Sequence, residues 1–248
     1  MARIFALANQ KGGVAKTTST FSLGAALGEQ GLRVLLVDLD PQGSLTFSTG
    51  IDPDALEITI HDVLLGRMPI QKVIIGADEA DVAPSNIELA GSEIFLFTKT
   101  GREYELQRVL EEVDRDYDVI LIDCPPSLGI LTINGLTAAH EVIIPFQCEA
   151  LSKRGVSQLI DTINDVRRFT NRNLKIRGIL ATMYDPRTTH SREVLEEIAK
   201  RYAVPIFDPP IRKSVRFAEA PSRGRSILKV APRHPGAEAY RQIAATLL

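Results

Sequence analysis

The sequence predicts an α/β protein: a mostly parallel, twisted sheet with helices on both faces. Three observations predict it. Short, continuous apolar runs recur along the chain, as strands covered on both faces require. Segments with helical spacing separate these runs. A glycine-rich turn joins the first run to the first helical segment. Strand–helix alternation of this kind winds into a parallel sheet through right-handed crossovers.

The elements follow in order. Arg3–Ala8 reads as a short buried strand. Lys16–Gln30 has helical spacing, with Phe21, Leu23, Ala26 and Leu27 on its apolar side, and Gly31 ends it. Arg33–Asp38 (RVLLVD) is the second strand, and the same kind of run returns at Asp118–Asp123, Glu141–Phe146 and Ile176–Tyr184. Helical patterns cover Glu103–Val113, Ser152–Phe169 and Ser191–Tyr202. Residues 50–100 are the least regular part. Asp208–Pro210 and Ala220–Gly236 read as loops, and Gly236–Leu248 reads as a closing helix. No Pro/Gly/Ser-rich linker and no repeat divides the chain, so one domain over residues 1–248 is expected.

Composition narrows the class. The 248 residues are 44% hydrophobic and 24% charged, which excludes collagen-like, coiled-coil and wholly disordered chains. No apolar run approaches the ~20 residues that span a bilayer, so no membrane role is expected. The opening MARIFALANQKGG lacks a small-residue cleavage site, so it is not read as a signal peptide. Two cysteines, Cys124 and Cys148, are too few for a disulfide framework and suit a reducing cytoplasm. Charge is unevenly placed. Residues 1–150 hold 10 basic and 22 acidic side chains (net −12), and residues 151–248 hold 19 basic and 9 acidic (net +10). Either a basic face meets a polyanion, or the two halves attract each other within one fold.

Chemistry begins at Lys11–Thr18, KGGVAKTT, between the first strand and first helix. Glycines let backbone N–H groups curl around an anion, and the helix N-terminus adds partial positive charge. Gly12, Gly13, Val14, Ala15 and Thr18 would form such a cradle for a nucleotide's phosphates. Lys16 supplies a point charge for the β/γ-phosphates of ATP, and the Thr17 hydroxyl can ligand Mg²⁺. The pattern G-x-x-x-x-G-K-[ST] is not met, because Gln10 and Ala15 stand where its glycines belong. Ala15 is expected to resist the left-handed backbone that glycine adopts freely.

The second lysine, Lys11, makes this segment resemble the deviant Walker A motif KGGxxKT[ST] of the ParA/MinD family of P-loop ATPases. The resemblance implies that Lys11 reaches across a homodimer to the partner's nucleotide when ATP is bound. Leu35–Gly43 (LLVDLDPQG) resembles the family's switch I segment, with Asp38 on the Mg²⁺ shell and Asp40 orienting the attacking water as a catalytic residue. Val119–Ser127 (VILIDCPPS) is similar to Walker B and switch II, with Asp123 at a strand's carboxyl end, where ligands of open α/β sheets collect. Met183–Arg187, Val215–Pro221 and Ala231–Tyr240 are similar to Soj-like members in order and spacing, so the resemblance covers nearly the whole chain. It also implies that Met183 and Pro209 lie by the base.

Arg212, Lys213, Arg216, Arg223 and Arg225 face a single acid, Glu219, within Ile211–Arg225, and Arg187 sits on another loop. Such side chains suit phosphate contacts that hold double-stranded DNA without reading its sequence. The resemblance implies that Arg187 and Arg216 lie on the DNA-binding surface. It further implies a nucleoid-associated, cytoplasmic protein whose slow hydrolysis a ParB-like partner accelerates. No segment precedes the first strand to match the DNA-reading N-terminus of larger plasmid members, and AYRQIAATLL lacks MinD's Lys-rich membrane helix. Two alternatives remain at this level: a spatial regulator positioning a non-chromosomal cargo or division protein, and a metal-cluster carrier using cysteines between subunits.

Overall fold

A computed structural model describes residues 1–148, 152–187 and 189–248. Six strands form one all-parallel sheet: β1 (Arg3–Leu7), β2 (Val34–Asp38), β3 (Asp81–Ala83), β4 (Val119–Asp123), β5 (Glu141–Gln147) and β6 (Lys175–Thr182), in the spatial order β3-β2-β4-β1-β5-β6. The apolar runs are continuous because both faces are covered. Ile4 and Ala6 point into one core and Phe5 and Leu7 into the other, and Leu35 and Leu36 divide in the same way.

Helix α1 (Lys16–Glu29) crosses the second face, with Phe21, Leu23, Ala26 and Leu27 buried against it. Its contact with the sheet is close. A Cβ added to Gly24 would stand 2.6 Å from Leu36 Cδ2, so any larger residue would force the buried Leu36 side chain or the helix to shift. α1 is followed by α2 (Ser44–Ser48), α3 (Ile60–Leu64), α4 (Leu89–Phe97), α5 (Glu105–Glu111) and α6 (Ile130–Ala138). Helices α7 (Ser152–Phe169) and α8 (Thr189–Tyr202) flank β6, and α9 (Arg216–Glu219), α10 (Ile227–Val230) and α11 (Pro235–Ala245) close the chain. Tyr240 of α11 is wholly buried and exchanges a 2.9 Å hydrogen bond with Ser19 of α1.

Several sequence expectations need correction, although residues 50–100 are irregular as expected and hold only short elements such as α3, β3 and α4. β3 has only three residues, too few to establish a period. α6 escapes periodicity because nearly all of it is buried, polar Asn134 and Thr132 included. The helix expected over Glu103–Val113 begins with a 3₁₀ turn at Arg102–Tyr104 and is α-helical only over Glu105–Glu111. The strand expected to reach Tyr184 ends at Thr182, because Met183 turns to φ +48°. Ala220–Gly236 contains α10 and a 3₁₀ turn at Pro221–Arg223.

Candidate functional site: a phosphate loop above two buried carboxylates

β1 lies between β4 and β5, where the strand order reverses, and the loop after it opens at the carboxyl edge of the sheet. Gly13 is left-handed (φ +72°), and so is Ala15 (φ +61°, ψ +34°). Alanine adopts this conformation here, but not freely, because its Cβ makes the left-handed form costly. The left-handed form costs a non-glycine residue roughly 1 kcal/mol, and neighbouring contacts hold the loop against it. Thr182 Oγ1 donates to Val14 O (3.0 Å). Asn9 Nδ2 donates to Pro145 O (2.7 Å), and Asn9 Oδ1 accepts from Lys11 N (3.0 Å).

Gly12, Gly13, Ala15, Lys16, Thr17 and Thr18 line a cleft of about 630 Å³, facing Asp40, Phe47 and Pro126. Val14 is buried and does not line this cleft. Lys11 is half-buried where the loop begins and does not line this cleft. Lys16 Nζ folds over the loop to donate to Lys11 O (3.4 Å). Burial lowers the Lys16 pKa, and the neighbouring Asp123 opposes that shift.

Asp38 and Asp123 are fully buried side by side, in register at the ends of β2 and β4. Asp38 Oδ2 accepts from Thr46 N (2.9 Å) and Thr46 Oγ1 (2.8 Å), and its Oδ1 accepts from Asp40 N (3.1 Å). Asp123 Oδ2 accepts from Thr17 Oγ1 (2.7 Å), and its Oδ1 accepts from Thr20 Oγ1 (3.1 Å). Burial pushes the Asp38 carboxyl up to about 6. Burial, and then the charge of Asp38, push Asp123 up to about 7. Two carboxylates crowded under a phosphate-shaped loop form a place where a divalent cation removes electrostatic strain. The all-oxygen donors Thr17, Asp38 and Asp123 suit a hard ion such as Mg²⁺.

Asp40 stands half-buried at the cleft wall, its Oδ1 accepting from Gln42 N (3.0 Å). Met183 and Pro209 fall outside that cleft. They share the β6 edge, where residues 206–212 run alongside β6 through paired Ile179–Ile206 and Tyr184–Arg212. The supporting side chains Asn9, Thr20, Thr46, Ser85 and Thr182 are absent from the sequence reading. Thr20 alone had a signal: three residues after Thr17 on one helix, it shares the same face.

The basic residues separate into two groups. Arg212, Lys213, Arg216 and Arg223 are exposed, and the Tyr184–Arg212 pairing draws the Arg187 loop toward Arg212 and Lys213. Arg187 forks onto Asp185 (2.7 and 2.9 Å), and Arg216 pairs with Glu219 (2.8 Å). Arg225 instead pairs with Asp78, and Arg241 with Glu29 (2.6 Å). Among the described residues, Arg225 and Arg241 join the basic half to the acidic one, whereas Arg187, Arg212, Lys213, Arg216 and Arg223 stand exposed without such a cross-half pair shown. Cys124 and Cys148 are both buried, a poor arrangement for a cluster shared between subunits. Among the described residues, no helix is long and apolar enough to cross a membrane.

The AAA domain family model matches residues 2–176. Over 246 residues the chain is 45% identical to the sporulation initiation inhibitor protein Soj of Bacillus subtilis, covering 98% of this chain and 97% of Soj. It is 40% identical over 246 residues to the chromosome partitioning protein ParA of Caulobacter vibrioides, covering 98% and 92%. Its fold matches the crystal structure of cobyrinic acid a,c-diamide synthase from Mycobacterium smegmatis with bound ATP analogue and magnesium. That match has a TM-score of 0.90 and 52% identity, over 100% of this chain and 94% of the other.

Proposed function

The chain belongs to the ParA/MinD family of P-loop ATPases, and from that premise we propose that it is a DNA-partition ATPase, a single ATPase domain over residues 1–248 that works in the cytoplasm on the nucleoid. The observation that carries this reading is the phosphate loop with its additional Lys11, set above the Asp38–Asp123 pair at the sheet's switch point.

In this reading the N–H groups of Gly12 to Thr18 cradle the phosphates, and Lys16 leaves its 3.4 Å contact with Lys11 O to meet the β/γ-phosphates. Thr17, Asp38 and Asp123 hold Mg²⁺, which supplies charge neutralisation on the transferring phosphoryl group. Met183 and Pro209 flank the base. Asp40 accepts a proton-side hydrogen bond from the attacking water and so orients it. Lys11 is delivered to the partner's nucleotide only when two copies close, which makes hydrolysis conditional on dimerisation. The paired state doubles a weak basic patch (Arg187, Arg212, Lys213, Arg216 and Arg223), so duplex DNA is gripped mainly in the ATP form. A ParB-like partner accelerates hydrolysis and resets the cycle.

The test of the DNA arm is co-sedimentation with duplex DNA in ATP, ADP and no nucleotide. Retention in ATP alone supports the reading, and equal retention in all three overturns it. The catalytic arm is tested by Asp40→Ala, for which undiminished ATP turnover rejects the assignment.

A further inference from the structure

We propose that Ser85 is a positioning residue for ATP hydrolysis, acting through Asp40; the inference rests on Asp40 being the water-orienting group. Ser85 is fully buried two residues beyond the edge strand β3. The register Val37–Ala83, continued by two residues, carries it to the level at which the chain leaves β2 toward Asp40. There it makes one bond to the switch segment and one to Thr46 of α2. Its hydroxyl donates to Asp40 O at 2.8 Å, against 3.4 Å for its alternative acceptor, Asn86 O. Its backbone N–H donates to Thr46 Oγ1 at 2.9 Å, and that hydroxyl in turn donates to Asp38 at 2.8 Å.

The consequence is mechanical. Asp40 lies past the end of β2, where no ladder bond fixes its backbone. Its carbonyl also accepts from Gly43 N (2.9 Å), but that bond closes a local turn and moves with the loop. The Asp40 N–H is held to β2 through Asp38 Oδ1 (3.1 Å), and Ser85 supplies a second tether, to the Asp40 carbonyl, from the segment that follows β3. One hydrogen bond contributes about 1 kcal/mol to holding a group, and a misplacement of about 1 Å at a reacting centre costs far more in rate than in binding. Ser85 therefore governs the rate with which bound ATP is cleaved, while nucleotide affinity stays with the loop on the opposite wall of the cleft.

The experiment is a cycle of Ser85→Ala, Asp40→Ala and the double variant, read by single-turnover hydrolysis of γ-labelled ATP with Mg²⁺ and by titration with a fluorescent ATP analogue. Ser85→Ala is expected to slow hydrolysis about tenfold with analogue affinity within twofold of the parent, and to add nothing in the Asp40→Ala background. Ser85→Thr, which keeps the hydroxyl, is expected to recover most of the rate. An unchanged rate in Ser85→Ala, an equal loss of affinity, or a further tenfold loss in the double variant each overturns the positioning role. If Ser85→Ala does not fold, Ser85→Cys, of similar volume and a far weaker donor, is held to the same criteria. Undiminished hydrolysis in Asp40→Ala alone identifies failure of the underlying reading instead.

Discussion

Removing the negative charge at Asp123 should stabilise the protein in the absence of nucleotide and metal while abolishing its use of them. Asp123 is fully buried beside Asp38, and its pKa stands near 7 against an ordinary value of 3.8. A gap of about three pKa units corresponds to about 4 kcal/mol at neutral pH. Lys16 loses its first counter-charge in the exchange, which takes back part of that gain. Asp123→Asn keeps an acceptor for Thr17 Oγ1, and its amide can donate to Thr20 Oγ1, whose own proton can turn to Lys16 O at 3.1 Å. The net expectation is about 2 kcal/mol, or a rise of roughly 4–8 °C in Tm for a chain of this length. The pH dependence has a definite sign. A carboxyl whose folded pKa is raised keeps its proton in the native state, so the wild type is relatively favoured below pH 4 and loses that advantage as pH rises through about 7. The Tm difference between Asp123→Asn and the parent should therefore be largest at pH 8 and shrink toward pH 5. Calorimetry with EDTA and without nucleotide measures it. A variant that melts below the parent at pH 8, or a difference independent of pH, refutes the reasoning.

Reversing charge at the basic surface with Arg216→Glu is expected to lower DNA retention more than tenfold while leaving binding of a fluorescent ATP analogue intact, because Arg216 is exposed and its ion pair, with Glu219, lies within its own short helix. The parent's DNA affinity should fall steeply between about 50 and 200 mM salt, as phosphate contacts require, and a salt-insensitive complex counts against them. Lys11→Ala is expected to spare ADP binding and to lose the dimer formed with a non-cleavable ATP analogue, read by light scattering. Gly24→Val should destabilise by about 2–3 kcal/mol, because its first side-chain carbon already falls 2.6 Å from Leu36 Cδ2; denaturant unfolding checks it.

Much of the fold and site was legible because covalent order and spatial order coincide there. Strands β1, β2, β4, β5 and β6 announced themselves as apolar runs, since a strand buried on both faces must be apolar throughout. The loop Lys11–Thr18 sits between a strand and a helix, so its chemistry could be argued from the chain alone. Asp38 and Asp123 were legible for the same reason, as polar residues ending apolar runs. The sequence therefore determined the fold class, the phosphate loop and which carboxylates stand at strand ends. Only the tertiary structure decided that those two carboxylates lie in register, Asp123 bonded by Thr17 and Thr20 and Asp38 by Thr46, that Ala15 takes a left-handed backbone, and that Ser85 reaches Asp40 from 45 residues away. The physical reason is that local spacing encodes which face of an element is buried, whereas a hydrogen bond between distant segments depends on strand order and register. Those are set by the whole core packing at once and leave no period in the sequence.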